Sequence, residues 1–308
     1  MKRFICIMIM LCLVLGTCGC SLSSEKDNGK LSIIATIFPQ YDFARHIAGD
    51  KANVSMLITP GTESHSFEPT TSDMLDISKC DIFIYTGGES DSWIEDLLKN
   101  IDNPDMRIIS LMDCIDTDQS DHDHDDHQGH NHGTVDEHVW TSPVNAIEIS
   151  KQIAAAMCEK DSTNADTYNA NLEDYIAQLS SLDTSIRDVV DTAERNTLVF
   201  GDRFPLKHFT DEYGLNYHAA FSGCSDDTEA SASTIADLID IVKEQNIPVV
   251  LKIELSSDAT ARTICDETDA QMMTFYSCHN ISKEDFDAGA TYISLMELNV
   301  DTLSAALN

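Results

Sequence analysis

Short apolar runs alternate with longer segments of helical spacing along this chain, and the alternation occurs twice. The runs predicted as strands are 31–37, 54–58, 81–86 and 107–112 in the first half, and 197–201, 216–221, 248–254 and 271–276 in the second. The segments predicted as helices are 38–48, 72–79, 92–99, 205–213, 230–245, 257–268 and 290–307. Strands that are separated by helices form parallel sheets covered on both faces. The pattern therefore predicts an α/β protein of two lobes, each a mostly parallel sheet flanked by helices.

One segment between the two halves, 165–194, contains neither glycine nor proline. The apolar residues that recur there at steps of three and four are Leu172, Tyr175, Ile176, Leu179, Leu182, Ile186, Val189, Val190 and Ala193. At 1.5 Å per residue, such a helix would be about 45 Å long. We expect one rigid helix that joins the lobes; a coiled-coil dimer is the alternative, although about three heptads are marginal for one. Ligands of such folds bind beyond the carboxyl ends of the strands, so the two lobes would share one cleft.

The net charge argues against nucleic acid as a partner. The chain has 308 residues, of which 19 are basic and 53 are acidic, for a formal charge of −34. A protein that binds phosphates needs a basic surface to displace counterions, and too few lysines and arginines are present to build one. A strongly acidic surface instead attracts cations.

The N-terminus is typical of an exported lipoprotein. Lys2 and Arg3 precede an apolar run of 12 residues, 4–15, which is too short to span a bilayer and is typical of a signal peptide. Gly19 before Cys20 resembles a bacterial lipobox, in which the cysteine is lipidated and becomes the new N-terminus. The alternatives are lipidation at Cys18 and an ordinary signal peptide that is cleaved without lipidation. We therefore expect a signal peptide over 1–19, a lipidated Cys20 with a tether over 20–30, and a location on the outer face of the cytoplasmic membrane, anchored by lipid.

Six cysteines lie outside the leader. They are Cys80, Cys114, Cys158, Cys224, Cys265 and Cys278. No two of them form a C-x-x-C pair, so neither a zinc ribbon nor a redox dithiol is indicated. Export permits disulfides, and Cys224 with Cys278 is a possible pair because both follow predicted strands on the same side of a sheet. Buried free thiols are the equally open alternative.

A short acidic segment carries five of the eleven histidines of the chain. These are His122, His124, His127, His130 and His132, and they alternate with Asp121, Asp123, Asp125 and Asp126 in D-H-D-H-D-D-H-Q-G-H-N-H-G. Such a segment is a solvated low-complexity loop. Imidazoles and carboxylates at this density also predict weak, exchangeable binding of Zn²⁺ or a similar ion. Ordering the loop around one ion would cost chain entropy, which argues against a fixed high-affinity geometry.

Three further histidines stand where strands end or helices begin. His65 lies in the turn-rich loop after the strand at 54–58, and His279 directly follows the strand at 271–276. His138 lies in D-E-H-V-W-T-S-P, where Ser142 is a suitable N-cap and Pro143 a suitable first helical residue. Any one of them alone would more often be a hydrogen-bonded histidine without a ligand. Together, in a two-lobed α/β fold, they predict a shared metal site in the cleft between the lobes.

Two segments, P-G-T-E-S-H-S-F-E-P-T-T-S-D and D-E-H-V-W-T-S-P, have a specific pattern around one histidine each. With the lipobox, the acidic histidine loop and the long helix, they resemble the solute-binding lipoproteins of zinc and manganese ABC transporters. The resemblance covers the mature chain and is strongest over 31–143. It implies that His65 and His138 are metal ligands.

The resemblance also implies an organisation and a set of partners. We expect an N-terminal α/β lobe over 31–142 that includes the histidine-rich loop at 113–135, a linker with the long connecting helix over 143–195, and a C-terminal α/β lobe over 196–308. The implied partners are an ABC-transporter membrane permease with its cytoplasmic ATPase. The protein would be a monomer that captures metal outside the cell with only small movements of the lobes.

The second half departs from the family pattern. The family usually has a third histidine in a segment beginning H-D-A-F, where this chain reads G-D-R-F and offers Asp202, or less favourably His208. The family's fourth ligand is commonly an aspartate after the last strand, where this chain has His279. The two ligand types would then be exchanged between these positions. Glu254 is a further candidate ligand, unless it only caps Arg203.

Three histidines and one carboxylate favour Zn²⁺, because Mn²⁺ prefers more oxygen ligands and a higher coordination number. Mn²⁺ transport is the alternative within the family. An extracellular zinc hydrolase would need an open coordination position and a base, yet the chain has no H-E-x-x-H and no G-x-S-x-G. A binding protein for an organic solute, or a surface adhesin, would need aromatic side chains in the cleft, where only Trp140 lies near a predicted ligand. We therefore expect a zinc-binding protein that is not an enzyme.

Overall fold

The computed structural model describes residues 29–62, 67–88, 91–115, 136–223 and 230–308. Several predicted features lie outside these ranges. They are the leader with Cys18 and Cys20, His65, the five histidines of the acidic loop, and Cys224.

The first lobe is built on a parallel sheet of four strands in the order β2-β1-β3-β4. Its elements are β1 (Leu31–Ala35), α1 (Phe38–Ala48), β2 (Ala52–Met56), α2 (Thr71–Ile77), β3 (Ile82–Tyr85), α3 (Ser92–Leu98) and β4 (Arg107–Ser110). The β-branched residues of β1 and β3 are buried on both sides of the sheet, as parallel strands covered by helices require. The predicted strands and helices of this half are all present, with ends that differ by at most two residues.

Two helices connect the lobes. These are α4 (Pro143–Lys160) and α5 (Ala165–Asp191), and the second has 27 residues. The Ser142 hydroxyl accepts a hydrogen bond from the amide of Asn145 at 3.3 Å, so the predicted N-cap is present. The long helix α5 packs against α4 and also against helices of both lobes, which buries the apolar stripe predicted from its sequence.

The second lobe repeats the topology of the first, with parallel strands in the order β6-β5-β7-β8. Its elements are β5 (Thr197–Phe204), α6 (Lys207–Tyr213), β6 (Asn216–Ser222), α7 (Ala232–Gln245), β7 (Val249–Lys252), α8 (Ala259–Asp266), β8 (Gln271–Thr274), α9 (Lys283–Asp287) and α10 (Tyr292–Leu307). The short helix α9 was not predicted. The two-lobed α/β fold with one long linking helix is therefore confirmed.

One hydrophobic core extends through both lobes. It contains Ile33 of β1, Tyr175 of α5 and Phe200 of β5 in a single cluster of buried side chains. A polar contact also joins the lobes within this core: the buried carboxylate of Asp42 accepts a hydrogen bond from the amide of Tyr292 at 2.9 Å. None of the described helices combines the length and the apolar character needed to cross a membrane.

Candidate metal centre

His138 is held in a fixed orientation by the aspartate two residues before it. Its side chain is fully buried, and one carboxylate oxygen of Asp136 lies 2.9 Å from the His138 amide and 3.0 Å from Nδ1. The contact with a carboxylate assigns the proton of the neutral imidazole to Nδ1. The other ring nitrogen, Nε2, is buried and has no hydrogen-bond partner among the described residues. Its free lone pair is the kind of donor that a metal ion requires.

The Asp136 carboxyl is kept ionised by its surroundings. Burial raises its pKa, but the hydrogen bonds from His138 and the electrostatic effect of His138 and the nearby His208 outweigh this effect and hold the pKa below its usual value. Nε2 of His208 lies 2.9 Å from the backbone carbonyl oxygen of Asp136. His208, an alternative ligand from the sequence, is thus engaged with the segment that supports His138.

His279 approaches His138 from the second lobe. The centroids of the two imidazole rings are 5.4 Å apart, and the rings are nearly perpendicular. The indole of Trp140 lies 5.3 Å from each ring. Two of the three predicted histidine ligands therefore meet between the lobes, although they are 141 positions apart in the sequence.

Asp202 is placed by a β-bulge in β5. Phe200 pairs with Ala219 and Arg203 with Phe221, so β5 has one residue more than β6 between these pairs. Gly201 in the bulge packs directly against α8, where an added Cβ would lie 2.4 Å from the Cα of Ala261. Only glycine fits there, and this tight contact fixes the direction of the chain just before Asp202.

The Asp202 carboxylate is almost completely buried, with 5% of the residue exposed. One of its oxygens accepts hydrogen bonds from the Ile253 amide at 2.9 Å and from the Ser256 hydroxyl. Asp202 and His279 line the same cavity of 320 Å³. The predicted carboxylate ligand and the predicted imidazole ligand of the second lobe therefore share one space.

Glu254 braces the segment that carries His279. Its carboxylate accepts hydrogen bonds from the Ser277 amide and hydroxyl, both at 2.7 Å, and from the His279 amide at 3.2 Å. Burial raises the pKa of Glu254, and the hydrogen bonds from Ser277 and His279 oppose that shift. With these oxygens engaged by three donors, Glu254 is suited to hold the loop rather than to bind a metal.

The chain that leads toward His65 borders the same cavity. Gly61 and Thr62 line it, and the Gly61 amide donates to the Ile281 carbonyl at 2.8 Å. The Thr62 carbonyl accepts a hydrogen bond from the side chain of Asn280, the residue after His279. Across the described ranges, no group of three or more histidine, cysteine or acidic side chains could hold a metal ion, and His65 lies outside those ranges.

Two residues of this region were not identified from the sequence as part of the site. Asp136 precedes the histidine by two positions, and a carboxylate at that spacing is a signal that could have been used. Ser277 has no such signal, because its carbonyl contacts Trp140 only through the tertiary fold.

Cys278 is a free thiol with a fully buried side chain, and its backbone has a φ of 57°. The disulfide with Cys224 stays a prediction, because Cys224 lies outside the described residues.

The family comparison matches most of the chain. Residues 33–306 fit the model of the family described as zinc-uptake complex component A, periplasmic. The chain belongs to this family. The resemblance inferred from the sequence motifs is thereby confirmed.

Two proteins of zinc uptake have sequences similar to most of this chain. The zinc-binding lipoprotein AdcA of Streptococcus pneumoniae is 32% identical over 309 residues, an alignment that covers 98% of this chain and 60% of that protein. The high-affinity zinc uptake system protein ZnuA of Bacillus subtilis is 32% identical over 302 residues, an alignment that covers 96% of this chain and 94% of that protein. The chain thus spans only 60% of the length of AdcA.

Solved structures of the family have the same fold. The Zn(II)-bound ZnuA-like domain of Streptococcus pneumoniae AdcA superposes with a TM-score of 0.77 at 30% identity, covering 91% of this chain and 99% of that domain. The metal-dependent lipoprotein YcdH of Bacillus subtilis superposes with a TM-score of 0.78 at 30% identity, covering 91% of this chain and 100% of that protein.

Proposed function

We propose that this family member captures Zn²⁺ outside the cell and delivers it to an ABC-transporter permease for import. The observation that carries the proposal is the buried Nε2 of His138, which has no hydrogen-bond partner among the described residues while a second imidazole lies 5.4 Å away. A buried polar atom is costly unless it is satisfied. A metal ion bound between the two rings would satisfy it.

The proposed ligands are His65, His138, His279 and Asp202. Nδ1 of His138 is occupied by Asp136, so this histidine would bind through Nε2. Asp202 and His279 face one cavity with Thr62. His65 is three residues after Thr62, and three residues of chain reach about 11 Å at most, so it is within reach of that cavity. Such a ligand set has three nitrogens and one carboxylate, which favours zinc over manganese.

The fold supports capture with small movements. The core that is continuous between the lobes resists their separation, since opening it would expose buried apolar surface. Release would then come from local changes around the ligands, on contact with a permease that works with a cytoplasmic ATPase. A monomer held at the outer face of the cytoplasmic membrane by a lipid on Cys20 would serve this role.

The acidic histidine loop is proposed to collect zinc rather than to hold it. In the sequence, its five histidines come after β4 and before His138. Deleting 121–132 should leave the affinity of the main site unchanged and lower the total zinc bound at high concentration.

The test is a competitive zinc titration of the mature chain and three variants. His138→Ala removes the imidazole with the free Nε2, and Asp136→Asn weakens its support. We expect His138→Ala to lose high-affinity binding, and Asp136→Asn to lower the affinity by about 10- to 100-fold, as loss of a carboxylate partner of a metal-bound histidine does. His218→Ala, on β6, is the matched control and should bind as the native chain does. Native affinity in His138→Ala, or no stoichiometric zinc in the native chain, would refute the proposal.

A further inference from the structure

The loop that follows β7 holds the side chain of Asp202 by two hydrogen bonds. We name residues 253–256 the clamp loop. Its first residue, Ile253, donates its amide to Asp202, and its last, Ser256, donates its hydroxyl to the same carboxylate oxygen. Both ends of the clamp loop are therefore attached to one proposed metal ligand.

The same loop holds the other proposed ligand of this lobe. Glu254, in the middle of the clamp loop, accepts from the Ser277 amide and hydroxyl and from the His279 amide. These bonds attach the backbone of the His279 segment to the clamp loop. Leu255 is the one residue between Glu254, which holds His279, and Ser256, which holds Asp202.

Leu255 has an unfavourable backbone conformation. Among the described residues, the non-glycine residues with positive φ are Asn246 (50°), Leu255 (58°) and Cys278 (57°). Asn246 ends helix α7, where a left-handed residue is common. Leu255 and Cys278 are instead joined through the Glu254 hydrogen bonds, one beside Glu254 and the other beside His279. Bulky residues keep such a conformation only where surrounding contacts impose it.

The exposure of Leu255 indicates that its side chain does not cause this conformation. The side chain is 53% exposed at the cavity, so it gains little from packing. With Leu255 in this left-handed conformation, Glu254 faces the His279 segment while Ser256 faces Asp202.

We propose that the clamp loop is a single positioning element for Asp202 and His279, and that the left-handed conformation of Leu255 couples the two. The proposed ligands of the second lobe would then shift together, not one at a time. The proposal rests on the proposed function for the identity of the ligands, but the coupling itself is a property of the metal-free chain.

The test compares two substitutions at one position by amide hydrogen exchange on metal-free protein. Leu255→Val introduces a β-branched residue that disfavours positive φ, whereas Leu255→Asn tolerates it. In Leu255→Val we expect exchange at the Ile253 amide and at the Ser277 amide to accelerate together, by about tenfold or more. In Leu255→Asn both amides should stay within about twofold of the native rates, since the backbone conformation is kept.

Leu298→Val is the matched control, because Leu298 is 48% exposed on α10 and the substitution is the same. It should leave both amides at native rates. Acceleration of one amide without the other in Leu255→Val, or equal behaviour of Leu255→Val and Leu255→Asn, would overturn the coupling.

Zinc dissociation into an excess of chelator gives the functional counterpart. Leu255→Val should release zinc about tenfold faster than the native chain, and Leu255→Asn at close to the native rate. If the native chain binds zinc and both variants release it at the same rate, the proposed coupling by the clamp loop is refuted while the proposed function stands. If the native chain binds no zinc, the proposed function fails, and the amide exchange still decides whether the clamp exists.

Discussion

The indole N–H of Trp140 donates to the carbonyl oxygen of Ser277 at 3.0 Å. Trp140 follows His138 by two residues, and Ser277 precedes His279 by two. The backbone carbonyl of Trp140 in turn accepts from the Tyr292 hydroxyl at 2.7 Å, so the backbone of Trp140 is anchored to α10 as well. One buried side chain thus links the two segments that carry the adjacent imidazoles.

Trp140→Phe should weaken this link while keeping an aromatic ring. We expect the free energy of unfolding to fall by about 1–3 kcal/mol, because the buried Ser277 carbonyl loses its donor. Zinc affinity should fall as well, since the two imidazoles lose a common support. Denaturant unfolding and zinc titration measure the two effects.

Trp93→Phe is the control for that substitution, because Trp93 is only partly buried. Its ring centroid lies 5.8 Å from that of Phe67. It should change zinc affinity little. If both tryptophan variants bind zinc as the native chain does, the link between Trp140 and Ser277 has no role in the site.

Asp91 should make stability depend on pH. Its carboxylate is buried and accepts from the amides of Thr86 and Gly87 at 2.7 and 3.2 Å. Burial raises the pKa of Asp91 from 3.8 to about 6, with the charge of Glu137 adding to the shift. The folded chain therefore binds a proton more tightly than the unfolded chain, and the Asp91 contribution to stability declines as the pH rises from about 4 to about 6.

Asp91→Asn keeps a carbonyl acceptor but removes the charge. The difference between its free energy of unfolding and that of the native chain should rise by roughly 3 kcal/mol at most through that pH window. Above the window the difference should stay constant. Urea unfolding at several pH values measures this, with exposed Asp102→Asn as the control. A difference between Asp91→Asn and the native chain that does not vary with pH would contradict the prediction.

The thiols should differ in reactivity according to burial. Burial and the charge of Asp81 raise the pKa of Cys80 to about 12, and Cys278 is fully buried. We expect iodoacetamide to spare both in the native chain and to modify the partly exposed Cys158 and Cys265 slowly. Peptide mapping before and after denaturation measures this. A peptide cross-linked between Cys224 and Cys278 would instead establish the disulfide considered from the sequence.

Local pattern accounts for most of what could be predicted. The helix α1 has the predicted bounds, and the N-cap at Ser142 is where the sequence places it. Strand ends were less accurate: β5 continues three residues past the predicted end because a bulge at Gly201 and Asp202 extends its pairing with β6. Bulges depend on contacts with other elements, here the close approach of α8, and leave little trace in a single strand.

The candidate site divides in the same way. His138 and His279 were identified because each lies at the end of a strand or the start of a helix, where a parallel fold gathers its ligands. The role of Glu254 was left open from the sequence. A glutamate at a strand end has the same local pattern whether it binds a metal or braces a loop.

The sequence by itself determined the two α/β lobes, the long helix between them and the histidines that meet there, since periodicity and element ends are local properties of the chain. Only the tertiary structure decided how those histidines are held. The bond between Trp140 and Ser277 and the attachment of Asp202 and His279 to one loop depend on hydrogen bonds between chain segments. These bonds join residues at least 25 positions apart, and such contacts exist only once the core has brought the segments together.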